Sequence, residues 1–383
     1  MGELEKEVII VGGGPAGLAT AACLQKQSIS SMVILEREAC TCSTWKIKTY
    51  DRVNLHLGKD FCTLPHFPHK KGTPVFISKS RFIDYLDEYV EFFDLKTMFN
   101  MNVISATFDA DDGKWQLVSK NTFTEEIYMY KSKFIVVATG ENAMKMIPEI
   151  FGLSTFPGEI IHSSEYKSPV KFAGKNVLVV GSGNSGMEIA YDLANSGVKT
   201  SILIRSPFHV LTREMVYAGM LLLKFLPIEF VDKVMIGLSK DYFGELSEYG
   251  IIMPEKGPFI IKATTGRSAV IDVGTIDSIK DGLIKVFKTT IEKIEGDEVV
   301  FCDGRSECFD AIIFATGYKS TAHKWLKDGE LLNEEGFPKQ SFPNHWKGKN
   351  GVYCAGLSKR GLAGIATDAE NIAKDISTIL MSN

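Results

Sequence analysis

Two stretches of this chain decide its fold: Val8-Ile9-Ile10-Val11-Gly12-Gly13-Gly14-Pro15-Ala16-Gly17, and Val177-Leu178-Val179-Val180-Gly181-Ser182-Gly183-Asn184-Ser185-Gly186. Each opens with a short, mostly β-branched apolar run, which suits a strand buried on both faces. Each then crosses GxGxxG into an apolar helix-forming segment, Gly17 to Gln27 in one case and Gly186 to Ser196 in the other. A second apolar run follows, Met32 to Glu36 and Ser201 to Arg205. A lone GxGxxG is weak, expected by chance about 0.3 times in a chain this rich in glycine; strand before, helix after and a second strand beyond make it specific. The first glycine permits the tight turn, the second leaves bare backbone for a pyrophosphate, and the third lets helix and strand pack closely. The helix amino terminus then faces the negative charge.

The two copies differ at their far ends. Nineteen residues past Gly17 stands Glu36, a carboxylate placed to bond ribose hydroxyls; nineteen past Gly186 stands Arg205, a cation suited to a 2′-phosphate. The second site is therefore expected to prefer NADPH over NADH by roughly ten- to a hundredfold. Expected cofactor contacts are Gly12, Gly13, Gly14, Pro15, Ala16, Gly17, Glu36, Arg37 and Trp45 at the first site, and Gly181, Ser182, Gly183, Asn184, Ser185, Gly186 and Arg205 at the second.

Further apolar runs, Phe134 to Gly140 and Ala311 to Gly317, both finish in Ala-Thr-Gly and read as hinges. The fold class is α/β, with two Rossmann-like dinucleotide-binding domains and the second inserted into the first. The expected bounds are 1–168 with 309–383 for the first domain and 169–308 for the second.

Bulk properties narrow the function. The 383 residues include 45% hydrophobic and 23% charged side chains with a net charge of −4, so no basic footprint invites nucleic acid. Seven cysteines, odd in number and without a CxxC pair, argue against a disulfide framework, a zinc site and a dithiol reductase, and suit a cytoplasmic setting. The start of the chain enters a strand at once, without the pattern of a secretory signal. The most apolar segment, Met220 to Leu238, is interrupted by Lys224, Glu229, Asp232 and Lys233 and falls short of the ~20 apolar residues of a spanning helix. It is read as a buried or cleft-lining helix, with peripheral membrane contact as the lesser alternative. No metal site is expected, and oligomeric state is open.

Between the glycine motifs, Phe156-Pro157-Gly158-Glu159-Ile160-Ile161-His162-Ser163-Ser164-Glu165-Tyr166 matches FxGxxxHxxxY, whose chance expectation is on the order of one in a thousand. This motif between two GxGxxG sites resembles the signature of class B flavin monooxygenases. Tyr166 stands where Baeyer-Villiger relatives carry tryptophan, and His162 is read as a linker residue rather than a catalyst.

The likeness extends through EREACTCSTW (36–45), YDRVNLHLGKDFCTLPHFP (50–68), HSSEYKS (162–168), FAGKNVLVVGSGNSGMEIAYDL (172–193), HVLTRE (209–214), DVGTI (272–276), FATGYKS (314–320) and GKNGVYCAGLSKRGLAG (348–364). These landmarks resemble the plant YUCCA flavin monooxygenases. The resemblance implies FAD at the first site, NADPH at the second, dioxygen as co-substrate, and conversion of indole-3-pyruvate to indole-3-acetic acid in auxin synthesis.

By the same resemblance, His56 and Asn142 lie near the flavin edge as hydrogen-bond donors. Trp45 and Phe61 are packing aromatics, Lys59 or Arg360 would meet a substrate carboxylate, and Val216 to Phe230 would line an apolar pocket. Departures from the family pattern stand at Cys42, Thr44 and Gly58. Rival readings are an oxygenase of sulfur or nitrogen nucleophiles, a pyridine-nucleotide disulfide reductase, which Cys40-Thr41-Cys42 lacks the spacing for, and a nucleotide-binding regulator without turnover.

Overall fold

In the computed structural model, which describes residues 4–327 and 330–382, the chain forms two compact units. The first comprises 1–48, 58–144 and 318–383; the second comprises 49–57 and 145–317.

The first unit is built on a seven-stranded sheet. Leu4–Val11 lies at its middle, parallel to Met32–Leu35 on one side and to Ile127–Val137 on the other. Val352–Cys354 adds in parallel to the end of Ile127–Val137, whose beginning continues into an antiparallel meander with Lys114–Asn121 and Met101–Asp109. The helix Pro15–Lys26 buries a face of alanines, Leu18 and Leu24. The carboxyl-terminal helix Leu362–Met381 packs against it, presenting Ile365, Ala369, Ile372 and Ile376 at the spacing of one helical face.

The second unit holds a five-stranded, wholly parallel sheet in the order Ile284–Phe287, Lys199–Leu203, Asn176–Val180, Ala311–Phe314, Glu159–His162. From Val177 to Val180 and from Ala311 to Phe314 its central strands are fully buried, which explains their unbroken apolar sequences. The α/β, twice-Rossmann expectation is met.

Three expectations need correction. The second unit is wider than 169–308, because Glu159–His162 and Ala311–Phe314 pair with each other inside its sheet. The FxGxxxHxxxY motif therefore belongs to that unit. The segment Thr49–Leu57 also belongs there, although its neighbours in the chain on both sides belong to the first.

Finally, Met220 to Leu238 is not one helix. Arg213–Leu222 and Ile228–Phe243 are separated by a break at Pro227, and Phe225 and Phe230 are 83% and 54% exposed. Asp232, which seemed only to interrupt an apolar run, is buried and accepts the backbone N–H groups of Phe259 (2.8 Å) and Ile260 (3.0 Å), capping the helix Pro258–Thr265. Among the described residues no helix is long and apolar enough to cross a membrane.

Candidate active site

The two glycine turns are copies at the level of individual atoms. Gly12 and Gly181 have φ of +116° and +111°, a region that side chains disfavour. A Cβ on Gly12 would lie 2.3 Å from the Ala138 carbonyl oxygen, and one on Gly181 would lie 2.6 Å from that of Ala315. A Cβ on Gly17 would sit 2.0 Å from the Gly12 oxygen, and one on Gly186 would sit 1.9 Å from the Gly181 oxygen. The middle glycines behave differently. A Cβ on Gly14 or Gly183 meets no heavy atom within 4 Å, and both cap their helices with nearly identical dihedrals, φ −80°, ψ 180° and φ −74°, ψ 179°.

The first and last glycines of each motif thus satisfy the fold, while the middle one faces open space at a helix amino terminus. That is the fit a dinucleotide pyrophosphate requires.

Around the first turn, Glu36 is buried, and its carboxylate accepts the N–H groups of Gly13 (2.6 Å) and Glu38 (2.9 Å). Two charge-assisted bonds hold the carboxylate in place, and each oxygen keeps a lone pair for a ribose hydroxyl. Cys42, in the left-handed region at φ +54°, donates its N–H to the Gly13 carbonyl (2.9 Å) and starts the short helix Ser43–Ile47. Burial pushes its thiol pKa far above the ordinary value, so it does not act as a thiolate. Trp45 packs edge-on against Phe82 with ring centres 4.8 Å apart, while Arg37 lies near the surface, 3.4 Å from Glu38. Gly58 has φ −63°, a value proline adopts, so the departure there imposes no change of backbone.

Thr139 follows the strand that ends beside Gly12, and its hydroxyl is buried without a hydrogen-bond partner among the described residues. Its counterpart in the second unit, Thr316, donates to the Met146 carbonyl instead. Asn142 lies exposed in the first unit. Lys59 is committed to the Thr73 carbonyl, and the Arg360 guanidinium lies 4.1 Å from the centre of the Phe342 ring.

In the second unit Arg205 is exposed just past the strand Lys199–Leu203 and makes no ion pair among the described residues. The Asn184 side chain accepts the Ile271 N–H (2.7 Å) and donates to the Ala269 carbonyl (3.2 Å), a role in tying the turn to its neighbouring strand. His56 proves to belong to this unit: its Nε2 lies 3.5 Å from Oε2 of Glu188, a buried carboxylate on the helix Asn184–Asn195 that also accepts the Tyr50 hydroxyl. Arg52 lies 3.7 Å from Asp192 on the same helix, with its guanidinium over the Tyr191 ring. Sequence reading missed Glu188. Its one signal was an acid between Met187 and Ile189 on the apolar face of the helix.

The FxGxxxHxxxY residues are structural. Gly158 leaves room for the Asp310 carbonyl, which a Cβ would approach to 2.3 Å, and Tyr166 donates to Asp192 (2.7 Å). His162 Nε2 lies 3.1 Å from the carbonyl of Gly317, the last residue of the unit, while Nδ1 accepts the Ser164 N–H (3.2 Å). Those partners select the neutral Nε2–H tautomer.

Burial lowers the His162 pKa below its ordinary 6.5. Below that value the unfolded chain takes up a proton the folded one resists, so this stabilisation is complete above about pH 6.5 and lost as pH falls through the depressed value. His162→Gln is expected to cost about 1–3 kcal/mol at neutral pH and to flatten the acid side of the melting-temperature profile. An unchanged profile between about pH 5 and pH 7 would remove His162 from this role.

The flavin-binding monooxygenase-like family model matches residues 5–370. The chain is 51% identical over 378 residues to the probable indole-3-pyruvate monooxygenase YUCCA10 of Arabidopsis thaliana, covering 98% of each chain. It is 45% identical over 376 residues to the indole-3-pyruvate monooxygenase YUCCA6 of the same plant, covering 96% of this chain and 89% of that one. Among solved structures, the flavin-containing monooxygenase from Stenotrophomonas maltophilia superposes with a TM-score of 0.72 at 18% identity, over 98% of this chain and 99% of that one. Fold, duplicated cradle and family match define a flavin-dependent monooxygenase. The chain belongs to the flavin-binding monooxygenase-like family, within which its close relatives are YUCCA proteins.

Proposed function

We propose that this enzyme uses FAD, NADPH and dioxygen to decarboxylate an aryl 2-oxo acid oxidatively, with indole-3-pyruvate as substrate and indole-3-acetic acid as product, a step of auxin synthesis. The observation that carries the reading is the 51% and 45% identity, over nearly the whole chain, to proteins bearing that activity in their names. The balance is one keto acid, one dioxygen, one NADPH and one proton giving the shortened acid, carbon dioxide, water and NADP⁺. Reduced flavin supplies the oxygen chemistry when bound. We assign FAD to the first cradle, with Glu36 on its ribose, and NADPH to the second, with Arg205 on its 2′-phosphate. His56 and Asn142 act as hydrogen-bond donors toward the reacting groups. The seven free cysteines fit a cytoplasmic protein.

The test measures indole-3-acetic acid and carbon dioxide formed per NADPH consumed by FAD-loaded protein, alongside thioether and amine substrates. The expected result is near-stoichiometric acid and carbon dioxide. NADPH consumption that yields only hydrogen peroxide with the keto acid but clean sulfoxide with thioethers would instead establish a heteroatom oxygenase.

A further inference from the structure

The second sheet has a hydroxyl with nothing to do in the protein alone. Ser163, directly after the strand Glu159–His162, is 3% exposed, and its Oγ has no hydrogen-bond partner among the described residues. Its surroundings do not need it. The His162 ring is satisfied by Gly317 and Ser164, and the His162 N–H by Glu165, while the Ser163 N–H donates to the Phe314 carbonyl (2.9 Å). A buried hydroxyl left unpaired is a net cost to the fold, which a bound ligand or an ordered water offsets.

Topology says which ligand. All five strands run parallel, so their carboxyl ends form one edge, and a dinucleotide lies across that edge with its pyrophosphate at the glycine turn. Gly181 closes the middle strand, Arg205 follows the strand on one side, and Ala315 then Ser163 follow the two strands on the other. With the phosphate-reading cation on the adenosine side, Ser163 falls on the nicotinamide side. Two strand spacings put it about 10 Å from the turn, within the reach of the nicotinamide ribose.

The internal duplication sharpens the point. In the first unit, Cys354 pairs with Val137 and Ala355 then donates to the Val137 carbonyl; in the second, His162 pairs with Phe314 and Ser163 donates to the Phe314 carbonyl. Ser163 is thus the counterpart of Ala355, and the hydroxyl is present only in the second copy.

We propose that Ser163 Oγ binds the nicotinamide ribose of NADPH and so sets the position of the hydride-donating end. This rests on the reading of the second cradle as the NADPH site.

The experiment uses FAD-loaded protein and compares Ser163→Ala, Ser163→Thr and Gly183→Val with the parent. Binding of NADP⁺ and of adenosine 2′,5′-bisphosphate, which lacks the nicotinamide half, is followed by calorimetry. Melting temperature is recorded without nucleotide. Ser163→Ala is expected to weaken NADP⁺ about five- to tenfold while leaving the bisphosphate, the flavin content and the nucleotide-free melting temperature unlowered, and Ser163→Thr is expected to restore NADP⁺. Unchanged NADP⁺ affinity in Ser163→Ala, with Gly183→Val losing it, overturns the inference while the site reading stands. So does equal weakening of both ligands with a lowered melting temperature, which marks a structural serine. Normal NADP⁺ binding by Gly183→Val overturns the site reading and the inference with it.

Discussion

Gly14→Val is expected to give folded, colourless protein, whereas Gly183→Val is expected to give yellow protein whose flavin NADPH does not reduce. The structure makes the two variants clean. A Cβ at either position meets no heavy atom within 4 Å beyond its chain neighbours, so the new side chain starts into open space. Each occupies only the space at its own helix amino terminus where a pyrophosphate must approach backbone.

The flanking glycines supply the contrast. A Cβ at Gly17 would fall 2.0 Å from the Gly12 oxygen, and one at Gly186 would fall 1.9 Å from the Gly181 oxygen, so alanine at those positions is expected to destabilise its unit by more than about 3 kcal/mol whether or not cofactor is present. Flavin absorbance after purification, thermal melting, and anaerobic reduction by NADPH and by dithionite separate these outcomes. Loss of flavin from Gly183→Val with retention in Gly14→Val would reverse the assignment of the two cradles.

The second large effect concerns Arg205. It stands exposed past the end of its strand with no ion pair among the described residues, so a 2′-phosphate would not have to compete with an internal carboxylate. Replacing it by glutamate removes a charge-assisted contact and adds repulsion. The Michaelis constant for NADPH is expected to rise at least about tenfold, that for NADH to change little, and the salt dependence of NADPH use to diminish. Steady-state kinetics with both cofactors at two ionic strengths provide the check. An equal rise for both cofactors would mean that Arg205 supports the fold of the turn and does not read the phosphate.

The role of His56 was the least legible part of the site. Sequence places it in a loop whose flanking segments, up to residue 48 and from residue 58, belong to the first unit, and family resemblance alone set it near the flavin edge. The structure ties the whole segment Thr49–Leu57 to the second unit through Tyr50 and His56 to Glu188, Arg52 to Asp192, and the Asp51 N–H to the Lys167 carbonyl. Those partners lie more than a hundred residues away. No periodicity or turn signal within the loop records them.

What the sequence determined by itself is the pair of nucleotide-binding units and the position of every glycine in them. Most of that information is local: strand, turn and helix are contiguous and the last glycine of each motif is required by an oxygen five residues back, although the first is also required by a distant strand end, at Ala138 or Ala315. Tertiary structure alone decided where the units divide, because Glu159–His162 joins the second sheet by pairing with Ala311–Phe314 across some one hundred and fifty residues. It also decided that His162 anchors Gly317 and that Asp232 caps a helix instead of merely breaking an apolar run. The physical reason is the same in each case. A hydrogen bond between residues distant in sequence is specified by the packing that brings them together, and its two ends carry no mark of each other in the chain.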